Sequence, residues 1–409
     1  MSTSTDGVVV VRVLLAAQAV RGLGYGVAAV QLGAILRAEG LSPAEVGLML
    51  AAILAGSLLC SLVLARWGDD LGRRRTYAAL YAALACGGLV IAAGAPWWLL
   101  AVVAMSGALS VEVIESGPFT TLEQVMLAGT GRPQREVVRG FGLYNAVAAV
   151  AGTAGALLGA LPADRRLLGG VLAAAGFTGA LLAARLPGSV EAPARLPGVP
   201  RPRLLARSRG PVARLAALFA VDSLAGGFVV QAYLGYWLSL QHAATTRTIG
   251  LTFAVLGVLQ TASLLAAPLV AARVGLLRTM VFTHIPSNLL LAAVPLAPGL
   301  PAAIALLLGR ACLSQMDVPT RQAYVMALVP PEERTAAAAV TNTARYLTRP
   351  AGPALAGLLF PLGAALPFMI AGAAKTGYDL TLWRIFRSVR LPTDQHSPDE
   401  ARHDNRRNP

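Results

Sequence analysis

Apolar runs of about 20 residues, cut by short clusters of Arg, Asp, Pro and Gly, fill the chain from Val8 to Phe386. A helix needs about 20 apolar residues to cross the hydrocarbon of a bilayer. Only helices and closed barrels satisfy their backbone groups there. The ten-residue alternation of barrel strands is missing, so the pattern predicts membrane-spanning helices. Twelve are expected, at 8–36, 44–65, 76–95, 97–128, 138–161, 167–186, 212–240, 249–271, 277–297, 301–329, 335–361 and 363–386. The start, MSTSTDGVVVVRVLLAAQ, has no basic region ahead of its apolar run. It reads as the first span, not as a removed leader.

The interruptions carry as much information as the runs. Residues 187–211, PGSVEAPARLPGVPRPRLLARSRGP, are rich in Pro and Arg with no helical period. They read as a linker between an N-terminal bundle (1–186) and a C-terminal bundle (212–386). Residues 387–409 are polar and read as a disordered tail. Arginine crowds alternate loops, at 66–75, 132–139, 185–214, 273–278 and 334, while the opposite loops hold Arg37, Arg165, Arg166 and Arg247. Positive charge marks the cytoplasmic side, so both termini are expected there, with the chain multi-pass in a bacterial inner (plasma) membrane.

Composition agrees with this reading. The chain is 56% hydrophobic and 13% charged, against about 25% charged for a soluble domain. Its mean hydropathy is +0.63. The net charge of +14 sits in short loops and makes no contiguous basic face, so nucleic acid is not an expected partner. Cys60, Cys86 and Cys312 lie inside apolar runs with no ligand spacing. Phosphate loops, nucleophile elbows and His/Cys clusters are missing. Neither an enzyme nor a resident metal or cofactor is expected.

The two halves repeat. AVRGLGYG (19–26) aligns with AVDSLAGG (220–227), and LGRRRT (71–76) with VGLLRT (274–279). SGPFTTLEQVM (116–126) matches DVPTRQAYVMA (317–327), and YNAVAAVAGTAGALLG (144–159) matches NTARYLTRPAGPALAG (342–357). The offset stays near two hundred residues, as a duplicated six-helix unit requires.

The densest charge in the chain is ARWGDDLGRRRT (65–76), between the second and third spans. Asp69, Gly72, Arg73 and Arg74 stand in the register Asp-x-x-Gly-Arg-Arg. This resembles the signature loop of the major facilitator superfamily, a family of secondary transporters. Ala65 and Asp70 depart from that pattern, and the second copy keeps Gly275 and Arg278 with Ala272 in place of the acid. The stretch 316–342 also resembles bacterial members of unassigned substrate. The resemblance implies an all-α integral membrane fold of twelve transmembrane helices in two pseudo-symmetric six-helix bundles. It implies a cytoplasmic gate at Asp69, Gly72, Arg73 and Arg74, and a solute site on the first, fourth, seventh and tenth spans. It also implies a monomer. The family's antiporter motif needs Gly-Pro in the fifth span; Gly155-Ala156 stands there, and Gly352-Pro353 in the eleventh.

Charges at membrane depth are costly and point to function. Arg21, Glu112, Glu115, Asp222, Arg310, Asp317 and Arg321 all fall on those four spans, with Arg345 and Arg349 on the eleventh. Arg21 and Asp222 occupy matching repeat positions and are expected to face each other across a cavity. Asp317 is expected to pair with Arg321 one turn on. A carboxylate at such depth loads and releases a proton as its surroundings change, with Glu115, Asp222 or Glu112 as the expected carrier and sodium as the second choice of ion. Small-residue spacing at Gly152, Gly155 and Gly159 predicts close helix packing, and Pro118 and Pro319 predict kinks. The expected function is proton-coupled rocker-switch transport of a small solute, with export of an amphipathic or zwitterionic compound first. Uptake of a small organic anion held by Arg21 and Arg310, or a non-transporting membrane sensor on the same scaffold, are the alternatives.

Overall fold

The computed structural model describes residues 2–110, 112–113, 117–128, 134–191, 205, 207–330 and 333–389. Glu115, most of the 187–211 linker and most of the 387–409 tail lie outside the described residues.

The helices of the N-terminal part are α1 Ser2–Ala38, α2 Pro43–Leu71, α3 Arg73–Ala92, α4 Trp97–Ala104, α5 Pro118–Ala128, α6 Gln134–Gly159 and α7 Arg165–Ala184. Those of the C-terminal part are α8 Arg209–Gly227, α9 Gln231–His242, α10 Thr246–Val274, α11 Leu276–Ala293, α12 Leu300–Ser314, α13 Asp317–Leu328, α14 Arg334–Thr348, α15 Ala351–Leu359 and α16 Leu366–Phe386. No strand occurs among the described residues. Among the described residues, eight segments are long and apolar enough to cross a membrane. Large apolar side chains face outward along them, with Leu269 71% exposed, as a lipid-facing surface requires.

Four expected spans are corrected. The fourth, seventh, tenth and eleventh are each interrupted. The fourth stops at Ala104 and resumes at Pro118, so Glu112 lies in non-helical chain and not in mid-helix. The seventh breaks at Phe228–Val230 after two glycines, the tenth at Gln315–Met316, and the eleventh at Arg349–Pro350. The prolines do more than kink. Pro118 opens α5 and Pro319 sits in the first turn of α13, where a missing N–H costs nothing. Charge suits the freed ends. Asp317 lies in the first turn of α13 and Arg345 in the last turn of α14, each opposite in sign to the helix dipole there.

The repeat is visible in backbone detail. Gly72 ends α2 at φ 84° and Gly275 ends α10 at φ 92°, a region open to glycine and strained for other residues. Thr76 Oγ1 donates to the Gly72 carbonyl, as Thr279 Oγ1 does to Gly275. Ser42 and Thr245 cap the starts of the two preceding helices through the backbone N–H of Glu45 and Thr248.

Within the N-terminal part α1 packs on α6 and α7, and α3 on α7. Within the C-terminal part α11 packs on α12, α13 and α16, and α8 on α14. Between the two parts α1 meets α9, α6 meets α10, and α2 meets α15. The contact is close around the end of α1 and the loop that follows it. There Tyr236 Oη donates to the Leu41 carbonyl at 3.1 Å, and Arg37 donates to the Ser239 carbonyl. A Cβ on Gly33 would stand 2.5 Å from the Ala232 carbonyl oxygen. Backbone meets backbone at this end.

Candidate functional site

Two buried ionic networks occupy the interior, one in each half. In the N-terminal half Arg21 forms a bidentate pair with Glu123, both N···O distances 2.7 Å. Both side chains are fully buried. Arg21 also donates to Tyr81 Oη at 2.8 Å and Tyr144 Oη at 3.1 Å, and to Gln18 one turn earlier. Tyr77 and Tyr144 donate to the Glu123 carboxylate, and Tyr81 donates to the Ala17 carbonyl at 3.0 Å. The Phe119 ring lies 4.5 Å from the guanidinium carbon. Tyr77 and Tyr81 reach this point together because a four-residue step keeps them on one face of α3. Both oxygens of Glu123 are engaged and the pair is closed to solvent, while Arg21 Nε and Gln18 Nε2 have no hydrogen-bond partner among the described residues.

The C-terminal network is larger and looser. Asp222 on α8 accepts from Lys375 Nζ of α16 at 2.5 Å and lies 3.7 Å from Arg321 Nη1. Arg321 donates to Asp317 at 2.7 Å along α13, the expected one-turn pair. On α11 and α16, His284 Nδ1 lies 3.0 Å from Asp379, and Asn288 Nδ2 donates to Asp379 at 2.9 Å. Several polar atoms here have no hydrogen-bond partner among the described residues: Ser287 Oγ, Asn288 Oδ1, Ser314 Oγ, Tyr378 Oη and the Nε of Arg310.

Arg21 and Asp222 therefore do not face each other. Each is paired inside its own half, because Glu123 and Lys375 supply nearer counter-charges. Arg310 comes close enough to Asp222 and Asp317 to act on them electrostatically without joining their hydrogen bonds. Glu112 pairs across the halves with Arg349. Glu115 is outside the described residues, as is the Asp69 side chain. Of the other gate-loop residues, Gly72 makes the turn and Arg73 and Arg74 open α3. Their backbone N–H groups donate to Glu191 at 2.7 and 3.2 Å, and their guanidinium groups reach the Val190 and Leu186 carbonyls. This carboxylate at a helix N-terminus is mirrored in the C-terminal half, where Glu333 accepts from the N–H of Arg207 and Ser208.

Glu123, His284, Lys375 and Asp379 were missed by sequence reasoning. Lys375 carried a signal as the only lysine of the chain, four residues before Asp379 in an apolar run. Glu123 lay inside the repeat stretch 116–126 as its only acid.

A cleft of about 380 Å3 lies between the halves, lined by Glu112 and Arg349 with Ser57, Ser61, Ser110 and Tyr346. A second, of about 400 Å3, shares Ser110 but is otherwise apolar, with Ile53, Leu100 and Leu172 among its walls. The first is charged, the second greasy, and Ser110 belongs to both.

These features, with the signature loop and the duplicated helices, match a sequence family. The profile of the Major Facilitator Superfamily matches residues 14–353. The chain belongs to the major facilitator superfamily. It is a multi-pass membrane transporter of that superfamily, with its all-helical fold. It is similar to an uncharacterized membrane protein of Saccharomyces cerevisiae, at 26% identity, covering 93% of this chain and 94% of the yeast protein. Among solved major facilitator structures it resembles the E. coli xylose transporter XylE in an inward-open conformation, with TM-score 0.67, 14% identity, and 93% and 96% of the two chains covered. It also resembles a bacterial homologue of the human lysosomal transporter Spinster in an inward-facing, unoccupied conformation, with TM-score 0.66, 14% identity, and coverage of 92% and 95%.

Proposed function

We propose that this transporter moves a small amphipathic or zwitterionic solute across the membrane in exchange for protons, in the export direction, by alternating access of two six-helix bundles (1–186 and 212–386). It works as a monomer in a bacterial inner membrane with both termini in the cytoplasm. The arginine-rich loops support that orientation. The tie between α1 and α9 then lies outside, and the conformation is inward-facing.

One observation carries the proton-coupled reading. Asp222 is 5% exposed on an interrupted helix, held by Lys375 and flanked by Arg321. A buried carboxylate that loses a cationic partner must find another cation or a proton. Any movement of Lys375 or Arg321 therefore changes proton occupancy in this half. Arg21 and Glu123 hold each other through two hydrogen bonds, both side chains fully buried, which supports the N-terminal half as the more rigid one. The two clefts support the solute class. Glu112 and Arg349 would meet an ionic end, and Ile53 and Leu172 an apolar one.

The test uses proteoliposomes with a trapped pH dye and a panel of amino acids, betaines, organic anions and amphipathic cations. One class should drive proton flux opposite in sense to solute, and Asp222→Asn should abolish it. Flux in the same sense would replace export with uptake. Solute movement without any pH change would remove the proton.

A further inference from the structure

Asp379 is the most isolated acid of the C-terminal network. It is fully buried on α16, and among the described residues no Lys or Arg lies within ion-pair distance of it. Its carboxylate is met by His284, with both oxygens near Nδ1, and by Asn288. A bare carboxylate against a neutral imidazole and an amide is costly in such surroundings. The pair is satisfied when it holds one proton, as imidazolium and carboxylate. His284 is itself 4% exposed. The groups around it are known on every neighbouring element. α16 presents Lys375, Tyr378 and Asp379. α13 presents Asp317, Arg321 and Tyr324, and α12 presents Arg310. Asp222 lies beyond on α8, and α10 carries titratable side chains only at its ends, Arg247 and Arg273.

Lys375 precedes Asp379 by four residues, which puts both on one face of α16. It pairs with Asp222 at 2.5 Å, while Arg321 stands 3.7 Å from the same carboxylate. The lysine thus sits between two acids, one on an interrupted helix and one beside the histidine.

We propose that His284 and Asp379 together bind the coupling proton, and that Lys375 governs its release by exchanging Asp222 for Asp379. The site lies on α11 and α16, outside the spans expected to bind solute. The inference rests on the proton-coupled reading and places the proton away from the solute. When Asp222 is neutralised by Arg321 or by a cationic group of the solute, Lys375 is freed. Its ammonium turns to Asp379 and takes over the carboxylate. The imidazolium then loses its counter-ion, and its N–H bond breaks. The proton leaves to water in the open pathway, the electron pair stays on the ring nitrogen, and His284 becomes neutral. Return of Lys375 to Asp222 reverses each step. No other reactant is needed.

The test reads the proton on the protein and needs no solute. Full-length protein with His242, His396 and His403 replaced by Gln keeps His284 as its one histidine. It is labelled with ring-15N histidine and held in lipid nanodiscs. Between pH 5 and 9 the His284 ring signals should pass through a single protonation step. Lys375→Met and Asp379→Asn should each move that step by about one pH unit or more. Lys375→Arg, which keeps the charge, should leave it near the parent position and shows that the site tolerates substitution. A ring fixed in one state throughout, or a step unmoved by Lys375→Met while Lys375→Arg folds, overturns the inference. A titrating ring in a protein that moves no protons with any solute of the panel overturns the proton-coupled function instead, so the two failures are separable.

Discussion

At the scale of single residues, the interior holds two ionic designs with opposite tolerances. Arg21 and Glu123 neutralise each other, so removing one partner leaves a buried, uncompensated charge, which costs about 3–5 kcal/mol. Glu123→Gln should lower the yield of folded protein and its melting temperature in detergent, read by fluorescence-detected gel filtration. Adding Arg21→Met should recover much of the loss, because no uncompensated charge is then left buried. If the double variant is as unstable as the single, the tyrosine hydrogen bonds and not the charge pair hold this region. Sequence showed some of the residues charged at depth but few of their partners. Arg21 was legible as a costly charge in an apolar run. Its pairing with Glu123, 102 residues away, depends on how α5 is placed after the break in the fourth span, and no local pattern encodes that. Asp317 with Arg321 was legible because a four-residue step decides it.

Helix ends decide more than helix interiors do at the scale of elements. Eight of the expected spans match continuous helices to within a few residues, since apolar length and N-caps such as Ser42 set them. The four interruptions were hidden because their flanks stay apolar. Pro118 and Pro319 mark where half-helices restart, but a proline tells only that the preceding turn is disturbed. Gly72 is the clearest case in which the turn itself was legible. Its φ of 84° makes Gly72→Val a strained substitution of order 1–3 kcal/mol, and Gly275→Val should cost the same at φ 92°. Thermal unfolding in nanodiscs checks both, and equal losses would show the repeat at the level of energy. Glu191→Ala should destabilise the start of α3 by about 1 kcal/mol. Faster hydrogen exchange at the amides of Arg73 and Arg74, with α7 unchanged, is the expected result.

The two halves close by backbone contact at one end, and this sets the behaviour of the whole molecule. Gly33 lets α1 lie against α9, and Tyr236 and Arg37 fasten the contact. A side chain at position 33 has no room unless the ends part. Gly33→Leu should therefore shift molecules toward a state in which this end is open. In a background without Cys60, Cys86 and Cys312, a cysteine at Ser239 should react faster with a water-soluble thiol reagent when Gly33→Leu is present. An unchanged rate would mean that the helices slide along each other and do not separate. The signature loop and the linker announced two halves in the sequence. Which end is shut was not readable there, because closing depends on small residues from distant helices meeting.

Arg349 stands where the broken spans converge. Its side chain reaches Glu112 in the gap of the fourth span. Its own backbone is the gap of the eleventh. A Cβ added at Gly227, at the gap of the seventh, would stand 2.4 Å from the Arg349 carbonyl oxygen. Three helix interruptions thus share one joint. Continuous helices resist bending, so strain introduced in the cleft gathers at these gaps. A shift of Arg349 would therefore be felt at all three interruptions at once.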